Sequence, residues 1–109
     1  MGPKSKPIKK AIGLSEINKL IHEPSRLLIV SFLYVLESAD FLFIMAQTGM
    51  TQGNLSSHMS KLEEAGYIEV KKDFVKKRPH TMLKLSKKGR AAFEEYKDTM
   101  KQFFINLPD

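Results

Sequence analysis

Leu55, Met59 and Leu62 recur at helical spacing inside the run GNLSSHMSKLEEAG, where the other positions are small or polar. One apolar face and one polar face predict an amphipathic helix from about Thr51 to Ala65, stopped by Gly66. Upstream, Ser15 suits an N-cap, and Ile17, Leu20 and Ile21 form an apolar stripe, which predicts a short helix over Ser15–His22. Pro24 then restarts the chain at the first position of a new helix. Leu27 to Leu36 is apolar nearly all round and predicts a buried central helix, ended by ESAD. The run FLFIMAQTGM predicts a brief extended segment near Phe41 and a helix from about Leu42 to Thr48. Gly49 is placed to terminate that helix in a left-handed conformation.

After Gly66 the period changes from helical to alternating. Ile68 and Val70 share one face of a first run, and Thr81, Leu83 and Leu85 share one face of a second. Between them DFVKKRP is polar and basic and contains a proline, so the pair predicts a hairpin over about 67–86 with that segment as its loop. Ser86 caps a last helix over about 87–107. Its apolar positions Phe93, Tyr96, Met100, Phe103 and Leu107 are spaced as a heptad seam. The predicted order is α-α-(β)-α-α-β-β-α: an α+β fold, mostly α. It places two helices around the Gly49 turn, at about 42–65, as a helix-turn-helix.

Composition narrows the function classes. The 109 residues are 42% hydrophobic and 28% charged, as expected of one globular domain. That domain is read over 12–107. Residues 1–11 open with MGPKSKPIKK, offer little to bury, and read as a disordered basic arm. There is no cysteine. Disulfides, thiolate metal sites and cysteine nucleophiles are thereby excluded. No signal peptide is evident, and LLIVSFLYVL is too short to span a bilayer, so a cytoplasmic, nucleoid-associated protein is expected. The net charge of +6 favours a polyanionic partner. The competing explanation is a lysine-rich solubilising surface, so the placement of the charge decides.

On a helical wheel, Gly53, Ser57, Ser60 and Glu64 fall opposite the apolar stripe, with Asn54, Ser56 and Lys61 on the flanks. A merely solvated face would carry better helix formers such as Glu, Lys and Ala. Short side chains that donate and accept suit a major groove about 12 Å wide. Thr51, Gln52, Gly53, Asn54, Ser56, Ser57, Ser60 and Lys61 are therefore the candidate DNA-binding residues of the helix. Lys71, Lys72, Lys76, Lys77 and Arg78 crowd around the hairpin loop. Lys76, Lys77 and Arg78 are the candidate contacts to backbone or minor groove. Lysines that merely protect a strand edge are the alternative. His58 lies beside the apolar stripe with no histidine or carboxylate at ligand spacing, and reads as a packing residue with one ring nitrogen bonded. No catalytic residues, metal site or cofactor are indicated: paired carboxylates, nucleophile–base pairs and phosphate loops are missing.

Three blocks, HEPSRLLIV, TQGNLSSHMSKLEEAGYIEV and KKRPHTMLKLSKKGRAAFEEY, together resemble the winged-helix DNA-binding domains of MarR- and ArsR-like regulators, in particular short stand-alone archaeal and bacterial ones. The resemblance spans about Ile12 to Leu107. It implies a sequence-specific transcriptional regulator that is not an enzyme, expected to be a homodimeric repressor reading a pseudo-palindromic operator. It also implies a dimer interface built from the terminal helices, here Ile17, Leu20, Ile21, Phe93, Tyr96, Met100, Phe103, Phe104 and Leu107. The heptad seam agrees with this independently, although packing against the first helix competes for the same residues. ArsR metal sensors commonly use cysteine thiolates, and their lack here argues against a soft-metal sensor. MarR relatives often bind small aromatic anions, which makes Tyr34, Phe41, Phe43 and Met45 candidates for an effector pocket, with core packing as the alternative. Two further readings stay open: a winged helix used for protein contact in a transcription or replication assembly, and a non-specific architectural DNA binder.

Overall fold

The computed structural model describes residues 12–108, and the basic arm at 1–11 lies outside the described residues. A 3₁₀ turn, Leu14–Glu16, is followed by α1 (Pro24–Leu36), β1 (Ser38–Asp40), α2 (Phe41–Thr48), α3 (Gln52–Glu64), β2 (Ile68–Val75), β3 (Arg78–Leu85) and α4 (Lys87–Ile105). The three strands form one antiparallel sheet in the order β1-β3-β2. This is the expected winged helix-turn-helix order, with one element changed.

The changed element is the first helix. The segment expected to be helical over Ser15–His22 holds only the short 3₁₀ turn. Asn18 explains the loss. Its side-chain oxygen accepts the N–H groups of Leu20 and Ile21, both at 3.1 Å, and so offers the backbone an alternative to helix. Its amide donates to the Tyr67 hydroxyl at 2.9 Å, tying the segment to the end of α3. The apolar stripe still reaches the core: Ile21 is fully buried, and Ile17 and Leu20 pack beside it.

Each remaining helix has an N-cap that the sequence supplies. Glu23 accepts from Arg26 N–H ahead of Pro24, Asp40 from Phe43, Thr51 from Asn54 and Ser86 from Gly89. Gly49 ends α2 at φ 74°, as its position predicted. α1 differs from expectation on its outer side. Ile29, Val30 and Leu33 are buried, but Leu28, Val35 and Leu36 are exposed, Val35 by 77%. The sheet and the other helices cover only one side of α1. Its outer side forms an apolar groove with Ser31, Phe32 and Phe43.

The hairpin keeps its expected bounds, but its strands are longer and its turn tighter than the sequence suggested. The strands continue through Asp73-Phe74-Val75 and Arg78-Pro79, leaving only Lys76 and Lys77 as the turn. Both lysines have positive φ, 52° and 66°. A two-residue turn of this kind matches the twist of paired strands, although Asn-Gly is its usual sequence. Pro79 is tolerated because β1 pairs with β3 only at Met82–Lys84, so no third strand needs its missing N–H. At the other end, Gly89 lets α4 pass close to β2. A Cβ there would lie 2.0 Å from the Tyr67 carbonyl oxygen.

Candidate nucleic-acid interface

α3 is held to the protein by Leu55, Met59 and Leu62, all buried. Thr51, Gln52, Gly53, Asn54, Ser57, Ser60 and Lys61 are exposed, and Ser56 is half-buried at the margin. The predicted polar face therefore exists as one continuous strip. The Thr51 hydroxyl accepts from Asn54 N–H at 3.1 Å, and this bond defines the start of the helix. Gly53 has ordinary helical backbone, and a Cβ added to it would meet nothing within 4 Å. Nothing inside the protomer demands glycine at this position.

His58 has the structural role expected of it. Arg26 Nη1 lies 3.1 Å from His58 Nδ1. A guanidinium can only donate, so Nδ1 accepts and the ring proton of this tautomer sits on Nε2. Arg26 also donates through Nε to the Leu20 carbonyl at 2.6 Å. One side chain thus joins the N-terminal segment, the start of α1 and the flank of α3. Partial burial pushes the Glu23 carboxyl upward. The backbone N–H groups of Arg26 and Ser25, with the neighbouring Arg26 guanidinium, outweigh this and hold it below the usual value of 4.5. Glu23 and Arg26 were not singled out from the sequence. The HEPSR block carried the signal, as an acidic N-cap ahead of a helix-starting proline.

The wing supplies the charge. Lys71, Lys72, Lys76, Lys77 and Arg78 are all exposed. The one acidic residue of its outer half, Asp73, lies 3.0 Å from His80 Nδ1, while His80 Nε2 faces Asp40 at 3.7 Å. Asp40 also caps α2. His80 therefore links both strands of the wing to the first helix of the helix-turn-helix. A cleft of about 240 Å³ lies at this junction, lined by Asp40, Phe41, Leu42, Met45, Gln52, Pro79, His80 and Thr81. The start of α3 and the outer part of β3 thus border one another.

The four residues considered for an effector pocket do not come together. Phe41 and Met45 line the junction cleft, and Phe43 lines the outer groove of α1. Tyr34 packs at a tilt against Phe93, donates its hydroxyl to Glu94, and has Arg90 and Lys97 over its ring. The residues considered for a dimer interface divide as well. Ile21, Phe93 and Tyr96 are buried in the protomer's own core, and Tyr96 also bonds His22 Nδ1 at 2.7 Å. Ile17, Leu20 and Met100 pack against that core. Phe103 is half-buried, whereas Phe104 (63%) and Leu107 are exposed, and so is Ile105 between them. The seam therefore serves folding in its first half and leaves its second half uncovered. Among the described residues, no group of three or more His, Asp or Glu is placed to hold a metal ion, and no helix is long and apolar enough to cross a membrane.

Residues 25–104 match the family model described as a winged helix DNA-binding domain. An uncharacterized protein of Methanocaldococcus jannaschii is 40% identical over 78 residues, covering 72% of this chain and 85% of its own. Among solved structures, a transcriptional regulator homologue from Pyrococcus horikoshii superposes with a TM-score of 0.76 at 27% identity, over 81% of this chain and 87% of that one. NadR in complex with 4-hydroxyphenylacetate gives a TM-score of 0.67 at 22% identity, over 81% of this chain and 62% of its own.

Proposed function

The chain belongs to the winged-helix DNA-binding domain family, and from that premise we propose that it is a homodimeric transcriptional repressor that reads a pseudo-palindromic operator. The Pyrococcus horikoshii structure of similar fold is a transcriptional regulator homologue, which supports this reading. One observation carries the reading. The polar strip of α3 and the basic wing adjoin at Gln52, Pro79 and Thr81, so they form one surface. Thr51, Gln52, Gly53, Asn54, Ser56, Ser57, Ser60 and Lys61 enter the major groove. Lys76, Lys77 and Arg78 engage the backbone or the flanking minor groove.

The distal part of α4 supports the dimer. Phe104, Ile105 and Leu107 are exposed together at the end of a helix whose earlier seam is already buried. A second copy of the chain covers them, and two-fold symmetry then sets two recognition helices about 34 Å apart on one face of the duplex. Bound at a promoter, such a dimer represses by occlusion. The reading assigns no cofactor and no effector site.

Selection of binding sites from random DNA, followed by salt titration of the recovered duplex, tests the proposal. The expected result is a two-fold symmetric site. Affinity should fall by about 0.9 log units per log unit of salt for each phosphate neutralised. Recovery of no sequence above background, or binding that ignores salt, would overturn it.

A further inference from the structure

Phe74 is 74% exposed, near the apex of a hairpin whose outer half carries five cationic side chains. Strand alternation fixes which way it faces. Ile68, Val70, Lys72 and Phe74 share one side of β2, and their partners Leu85, Leu83, Thr81 and Pro79 share that side of β3. Near the body this side is core: Ile68, Leu83 and Leu85 are buried. Beyond Val70 the same side runs out into solvent. There Pro79 and Thr81 line the junction cleft with Gln52, the first residue of α3. Phe74, paired with Pro79, therefore stands on the side of the wing that the recognition helix occupies.

Nothing in the protomer accounts for this phenyl ring. Folding does not bury it, and protection of an exposed strand calls for charge or proline rather than an aromatic ring. Its neighbours indicate what covers it. Lys72 shares its side of β2, and Lys76, Lys77 and Arg78 follow it around the turn; an apolar ring among cations complements a surface that is anionic at its rim and apolar within. The minor groove is such a surface, with phosphates at its edges and sugars and base stacks inside.

We infer that Phe74, backed by Pro79, is an apolar wedge that the wing inserts into the minor groove beside each half-site, packing on deoxyribose and partly unstacking one base step. The two-residue turn serves this placement. It keeps Phe74 two residues from the apex, with lysines on both turn positions to hold the phosphates on either side. The inference rests on the DNA-binding reading above.

The probe is a short duplex recovered by the selection experiment, with 2-aminopurine placed in turn at each position flanking a half-site. Wild-type protein should raise the fluorescence at one flanking step, the signature of unstacking. Phe74→Ala should abolish that rise and weaken binding roughly tenfold while leaving the salt dependence unchanged, because no phosphate contact is lost. Phe74→Leu should retain part of both effects. Thermal unfolding of the variants should match wild type, since the ring is exposed. Wild-type affinity and fluorescence in Phe74→Ala would overturn the wedge and leave the DNA-binding reading standing. Failure of the wild-type protein to select any duplex would overturn both.

Discussion

The recognition helix and the wing serve one surface but are held there in opposite ways. α3 has three buried side chains beneath it and the Arg26–His58 bond at its flank. Its orientation is a property of the core. The outer wing has no core: from Lys71 to Pro79 every residue is exposed. Its position comes from backbone pairing, from the turn, and from His80 between Asp73 and Asp40. Under the proposed function, specific reading of bases demands fixed geometry, which the packing beneath α3 supplies, and contact with a flanking groove demands less, which backbone pairing of the wing supplies.

This contrast can be broken most severely from beneath α3. Leu55→Ala removes a fully buried side chain and should cost about 3 kcal/mol of stability, with DNA affinity lost alongside; denaturant unfolding checks the first and a binding titration the second. The wing should respond in the opposite sense. Replacing Lys76-Lys77 with Asn-Gly relieves two left-handed non-glycine residues and should raise stability by about 1 kcal/mol. The same change removes two cations per wing. It should weaken binding and flatten the salt slope by about 1.8 log units per log unit of salt for each protomer, as read by titration across salt concentrations.

Gly53→Ala is the finest test, because it separates helix from groove at one position. A methyl group there meets nothing within the protomer, so the substitution should stabilise α3 by about 0.5–1 kcal/mol in thermal unfolding. On DNA it should weaken binding, since the backbone can no longer approach as closely. Tighter binding by Gly53→Ala would show that this face does not lie against the groove.

Residues acting over short stretches were legible in the sequence. Gly49 ends α2, and Thr51 and Ser86 start the next helices, because caps and left-handed stops are decided within a turn of chain. The stripe of Leu55, Met59 and Leu62, with the polar strip opposite, followed from helical period alone. The heptad seam of α4 was equally visible in the sequence, yet its meaning was not. Only the packed chain shows that Phe93 and Tyr96 are consumed by the protomer while Phe104 and Ile105 are left over. Likewise the stripe of Ile17, Leu20 and Ile21 reads as a helix until the Asn18 amide finds Tyr67, 49 positions away. The DFVKKRP segment reads as a loop until cross-strand pairing draws it into the ribbon and leaves Phe74 bare on the side of α3. Periodicity and capping are local and so are written in the order of residues. Which apolar faces meet, and which are left over, depends on contacts between distant parts of the chain, and only folding brings those together.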